Sequence, residues 1–229
     1  MQDMRRTKIA LSASATLALA LALPAVAPAT LTEIGVIGVT TPATVPSCPT
    51  TPTTPCLAVS RTTGFQVKVG TVHNPLAAPR EGTIVAWTIT LGKPTSSQIK
   101  YFDTNEGGVS EAAIAILRPQ PKPNLTYKLI AQSPLVKLQS YFGKTAQFPL
   151  ETTIPVKKGD VIALTVPTWA PALALGFGSD TSWRASRAKK QCTTTNMQTA
   201  HTQISSSVQY FCLYQTARLT YSATLISTP

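Results

Sequence analysis

The sequence predicts an all-β protein: an antiparallel two-sheet sandwich, jelly-roll-like, with one short helix. It is preceded by a signal peptide and a Pro/Thr-rich segment. Three observations carry that expectation. From residue 57 onward, apolar side chains recur at every second position in short runs. Clusters of Gly, Pro, Asn and Asp separate most of those runs. Helical spacing is confined to one segment, 95–103. About ten short strands over roughly 170 residues suffice for a two-layer core.

Residues 1–29 have the form of an export signal. Arg5, Arg6 and Lys8 make a basic start, 9–23 is rich in Ala and Leu, and Ala27-Pro28-Ala29 has the small-x-small pattern for cleavage after Ala29. The apolar run is shorter than the ~20 residues of a bilayer-spanning helix, and Pro24 interrupts it. No stable membrane span is expected once the signal is removed. Residues 30–56 form a Pro/Thr-rich N-terminal segment. Proline at the density of 40–55 prevents helix and interior strand. The tract reads as a solvated spacer or as an O-glycosylated stalk.

The sandwich domain is expected over residues 57–229. Phe65, Val67 and Val69 alternate with Gln66, Lys68 and Gly70, giving a half-buried strand. In 83–91, Val85, Trp87, Ile89 and Leu91 are expected on one face. Thr95 caps a short helix with Gln98 three residues on, Ile99 and Phe102 share its face, and Asn105-Glu106-Gly107-Gly108 ends it. Strands follow at 112–117 and from Leu125 to Ala131, then an irregular excursion at 133–143. Val161 to Val166 is a continuous β-branched and aliphatic run, buried on at least one face. Lys157-Lys158-Gly159-Asp160 is the turn before it. Gly159 supplies a positive φ, and Asp160 bonds nearby backbone. A short strand at 181–186 holds Trp183, and 187–207 is a long polar loop. Two strands close the chain, 208–214 and 217–226, with Ala217, Leu219, Tyr221, Ala223 and Leu225 inward.

Twenty Lys and Arg against nine Asp and Glu give a net charge of +11. Removing Arg5, Arg6, Lys8 and Asp3 with the signal leaves +9. A basic exterior suits anionic surroundings such as an acidic polysaccharide or another cell-envelope polymer. Export makes nucleic acid the weaker partner. Four cysteines in an exported chain imply disulfides. Of three pairings the local one is favoured, Cys48 with Cys56 and Cys192 with Cys212, adding roughly 2.5 and 3 kcal/mol from loop closure. Zinc is disfavoured because neither pair has CxxC spacing and His73 and His201 lie far from both. No calcium loop or phosphate-cradling Gly loop appears, and no cofactor is expected.

The runs Pro79 to Trp87, Leu117-Arg118-Pro119 and Ile154 to Ile162 resemble those of uncharacterised secreted actinobacterial proteins predicted to be jelly-roll-like β-sandwiches. The resemblance covers roughly residues 65–226. It implies fold and export, and carries over no activity and no site residue.

Site chemistry is therefore read from residue types. Trp169 and Trp183, with Tyr141 and Phe142, fall in or near loops, where exposed aromatic rings stack on sugars. Arg184, Arg187, Lys189 and Lys190 cluster beside Trp183, an arrangement suited to an anionic glycan. The opposing expectation is that both tryptophans cap the ends of the sandwich. His73 and His201 read as exposed loop histidines outside any nucleophile motif. Glu81, Asp103, Glu106, Glu111, Glu151, Asp160 and Asp180 are the carboxylates from which a hydrolase would draw a pair. The leading expectation is an exported, non-enzymatic module that binds carbohydrate, envelope polymer or a partner protein. A polysaccharide hydrolase and a purely structural surface protein are the alternatives.

Overall fold

The computed structural model describes residues 29–36, 45–48, 55–193 and 199–227. The signal peptide up to residue 28, and 37–44 and 49–54 of the Pro/Thr-rich segment, lie outside the described residues. In chain order the strands are β1 (Leu31–Ile34), β2 (Val59–Val69), β3 (Val72–His73), β4 (Gly82–Thr90) and β5 (Glu111–Pro119). They continue as β6 (Thr126–Gln132), β7 (Val136–Lys137), β8 (Thr145–Val156), β9 (Val161–Ala170) and β10 (Leu173–Leu175). The last are β11 (Ser182–Ala185), β12 (Ser207–Gln209), β13 (Cys212–Gln215), β14 (Ala217–Leu219) and β15 (Tyr221–Ser227). One helix, α1 (Ser96–Asn105), stands between β4 and β5.

Among the described residues all strand pairs are antiparallel, and they form an all-β sandwich. One layer has the order β1-β15-β4-β8. The other runs β12-β6-β5-β9-β2-β11-β13, with β3 on β2 and β7 on β5, and a small β10-β14 pair completes the set. β1 comes from ahead of residue 57, so the sandwich draws in part of the N-terminal segment. Residues 112–117 of β5 and 161–166 of β9 are buried one after another, which means that both faces of these central strands are covered. The inward set expected near the C-terminus is buried throughout, from Ala217 to Leu225. Thr220 divides that stretch between β14 in the small pair and β15 in the first layer.

In β4 the alternation changes phase. Ile84, Trp87 and Ile89 are buried while Val85 is only half-buried. Val85 is the extra residue where pairing with β15 shifts register, Thr224 facing Ala86 and Leu225 facing Ile84. One inserted residue moves every later side chain to the opposite face. The expectation that Val85 shares a face with Trp87 is corrected accordingly.

The second layer curls. β12 and β13 sit at its opposite ends, yet only Tyr210 and Phe211 separate them in sequence. Three Cα steps of about 3.8 Å join Gln209 to Cys212, so the two edges approach within roughly 11 Å. The Tyr210 N–H donates to Leu125 O at 2.7 Å on one side of this seam, and the Phe211 N–H to Arg187 O at 2.9 Å on the other. The 208–214 segment, expected as one strand, is thus two short strands on two edges.

Candidate functional site: a groove beside the helix

The tryptophans and arginines singled out by sequence are engaged within the protein. Trp169 lies inside β9 rather than in a loop and is fully buried. Its Nε1–H donates to Asp103 Oδ1 at 2.8 Å and to Gly108 O at 2.9 Å. Phe102 stacks on its ring at 4.8 Å, with Phe142 at 5.5 Å. The expected exposed Trp169 platform is corrected to a core anchor that docks α1. Trp183, also buried, lies against Tyr214 with ring centroids 4.8 Å apart, and its Nε1 has no hydrogen-bond partner among the described residues. It packs so close to β2 that a Cβ on Gly64 would come within 2.9 Å of the indole.

Arg184 and Arg187 belong to the seam. Arg184 Nη1 donates to Phe211 O at 2.7 Å and Tyr210 O at 3.3 Å, clamping the two residues that join the edges. Arg187 sits over the Tyr214 ring at 5.3 Å and donates to its hydroxyl, which in turn donates to Cys192 O at 2.8 Å. Burial holds the pKa of both arginines below the usual guanidinium value. The disulfides are Cys48–Cys56 and Cys192–Cys212, the local pairing, and the second fastens the 187–207 loop to β13. Lys189 and Lys190 remain exposed.

Of the histidines, His73 is exposed, but His201 is buried. Its Nδ1 faces Tyr210 Oη at 3.1 Å and its Nε2 faces Ser206 Oγ at 2.9 Å. Ser206 Oγ donates to Gln203 O at 2.7 Å. That donation leaves Ser206 to accept from the Nε2–H, so Nδ1 accepts from the tyrosine and the imidazole braces the loop. Burial lowers the His201 pKa and raises that of Tyr210 well above its ordinary value. An exposed His201 is corrected to this buried brace.

The carboxylates are dispersed. Asp160 is buried, takes a bidentate bond from Arg118 at 2.8 and 2.7 Å, and accepts the Lys157 N–H at 2.9 Å. Gly159 has φ +85°, as its turn requires. Asp103 is held by Trp169. Among the described residues no group of three or more His, Cys, Asp or Glu is arranged to hold a metal ion.

A groove of about 420 Å³ opens beside α1. One wall is the helix, contributing Ser97, Gln98, Tyr101, Phe102 and Glu106; the other is 56–58, leading into β2. The helix forms where the sequence places its cap. The Gln98 N–H donates to Thr95 Oγ1, and the Thr95 N–H donates to Gln98 Oε1. Phe102 turns inward onto Trp169. Tyr101, 200° around the helix from Ile99, turns outward and is 61% exposed. Its ring meets Phe102 edge-on at 5.6 Å, so aromatic contacts run from solvent to the core through Trp169.

The opposite wall is equally fixed. Cys56 is bonded to Cys48, and Ser47 Oγ accepts the Leu57 N–H at 3.1 Å and donates to Leu57 O at 3.2 Å. Gly92 is needed behind it, since a Cβ there would lie 2.7 Å from Cys48 O. The Leu57 side chain is left 45% exposed. Glu106 pairs with Arg61 at 3.4 Å and meets no other partner among the described residues. An aromatic ring, an aliphatic side chain and a carboxylate therefore face one concave surface on rigid supports. Sequence reasoning missed Tyr101 and Leu57. The available signal was an aromatic residue on the polar face of a short amphipathic helix.

No family model, curated protein or solved structure matches the chain. Among the described residues no helix is long and apolar enough to cross a membrane. The two disulfides and that observation are consistent with an extracellular protein.

Proposed function

We propose that the protein is an exported carbohydrate-binding module, with the groove beside α1 as its site. The observation that carries this reading is Tyr101, 61% exposed in a groove it shares with Glu106. A pyranose presents C–H groups on its faces and hydroxyls around its edge. A tyrosine ring covers the first, and a carboxylate accepts from the second. Supports on both sides lower the ordering cost of binding. The basic exterior favours residence near an anionic envelope, while the recognised unit is a sugar ring rather than its charge. Polysaccharide hydrolysis is less well supported, because Asp103 and Asp160 are already engaged by Trp169 and Arg118.

Calorimetric titration with soluble oligosaccharides tests the proposal. Tyr101→Ala is expected to weaken binding at least tenfold, about 1.4 kcal/mol, with little change in melting temperature. A folded wild-type protein that binds no oligosaccharide, or equal affinity in the variant, would overturn it.

A further inference from the structure

We infer that the groove selects sugars bearing an acetamido group, an N-acetylhexosamine-type unit. This rests on the carbohydrate reading above and names the substrate class of the same site. The observation behind it is a second apolar contact. Leu57 lines the groove at 45% exposure, with its backbone held on both sides by Ser47 Oγ and its neighbour Cys56 tied to Cys48. A simple hexose has one apolar feature, its C–H face, and Tyr101 suffices for that. Leu57 then has no counterpart and stays in water. An acetamido substituent supplies the counterpart, because its methyl group gains by leaving water for an aliphatic surface.

The polar part of that substituent is also matched. The acetamido N–H is a donor, as is the hydroxyl that a simple hexose carries at that position, and Glu106 is an acceptor-only group in the same groove. A donor bonded to a carboxylate makes a charge-assisted hydrogen bond, stronger than a neutral one. Arg61 lies 3.4 Å from Glu106 Oε2, which leaves the other carboxylate oxygen as the acceptor. Glu106 can therefore hold either kind of sugar, and the discrimination rests on the acetamido methyl group against Leu57.

Two trisaccharides with the same linkage isolate the substituent. Chitotriose carries an acetamido group where cellotriose carries a hydroxyl. The full chain is expected to bind chitotriose at least tenfold more tightly than cellotriose. Leu57→Ser should narrow that ratio by reducing chitotriose affinity while leaving cellotriose affinity nearly unchanged, whereas Glu106→Gln should weaken both sugars alike. Both positions are at the surface of a structure fixed elsewhere, and an unchanged circular dichroism spectrum checks that each variant is folded. Equal affinities for the two sugars, a preference for cellotriose, or a ratio unmoved by Leu57→Ser would overturn the acetamido inference and leave the carbohydrate reading standing. Binding of neither sugar would overturn both.

Discussion

At the seam of the curled sheet, Trp183 packs on Tyr214, Arg187 lies over that tyrosine, and Arg184 donates to two main-chain carbonyls. In the groove beside α1, Tyr101 touches Phe102 on one side and water on the other, and Glu106 meets only Arg61 among the described residues. Both regions juxtapose aromatic rings with charges. At the seam the rings and cations are consumed in joining Tyr210 and Phe211 to both edges of one sheet. In the groove the backbone is satisfied by a capping box, a serine and a disulfide, which leaves side chains over. Residue type alone does not mark a binding surface; the remaining capacity to make contacts does.

The comparison makes the seam a matter of stability and the groove a matter of binding, and each variant can break it. The largest effect is expected at Tyr210, which is fully buried with ring centroids 5.2 Å from Tyr127 and 5.5 Å from Phe65. Tyr210→Ala should cost about 3–5 kcal/mol in denaturant unfolding, the range for a large ring removed from a core. A loss under 1 kcal/mol would mean that the seam does not close the sheet.

Arg184→Ala comes next. It leaves the Tyr210 and Phe211 carbonyls without their donor, at about 1–2 kcal/mol after allowing for the partial solvent access of the guanidinium. Its oligosaccharide affinity should match the wild type. A weakened affinity in the folded variant would return the seam to candidacy as a ligand surface.

The smallest effect is a pH dependence. Burial lowers the His201 pKa below its ordinary 6.5, so the unfolded chain takes up a proton that the folded protein resists. Stability is then fully present above pH 6.5 and falls as the pH drops through the unfolded value toward the depressed folded one. His201→Gln should flatten the dependence below pH 6.5, measured by urea unfolding. An identical slope in both proteins would show that the brace does not titrate as its burial implies.

Much of the fold was legible because its signals are local. The capping box at Thr95 and Gln98, the positive φ at Gly159 and the inward set from Ala217 to Leu225 depend on neighbours within a few residues. What escaped depends on distant partners. The phase change at Val85 is set by pairing with β15, not by the β4 sequence. The division of 208–214 follows from the closure of a sheet whose edges are fixed by β6 and β11. Asp160 reads as a turn residue in the sequence, where nothing marks Arg118, 42 positions away, as its partner. The site was the least legible part. Trp169 and Trp183 drew notice as large aromatics, but large aromatics are what a core takes first. Tyr101 was overlooked because its exposure depends on which helix face Trp169 claims.

The decisive measurement is a parallel calorimetric titration of wild type, Tyr101→Ala and Arg184→Ala with the same oligosaccharide. At least a tenfold loss of affinity is expected for Tyr101→Ala and none for Arg184→Ala, although Arg184→Ala is the less stable protein. The reverse pattern, with affinity retained without Tyr101 and lost without Arg184, would contradict that expectation.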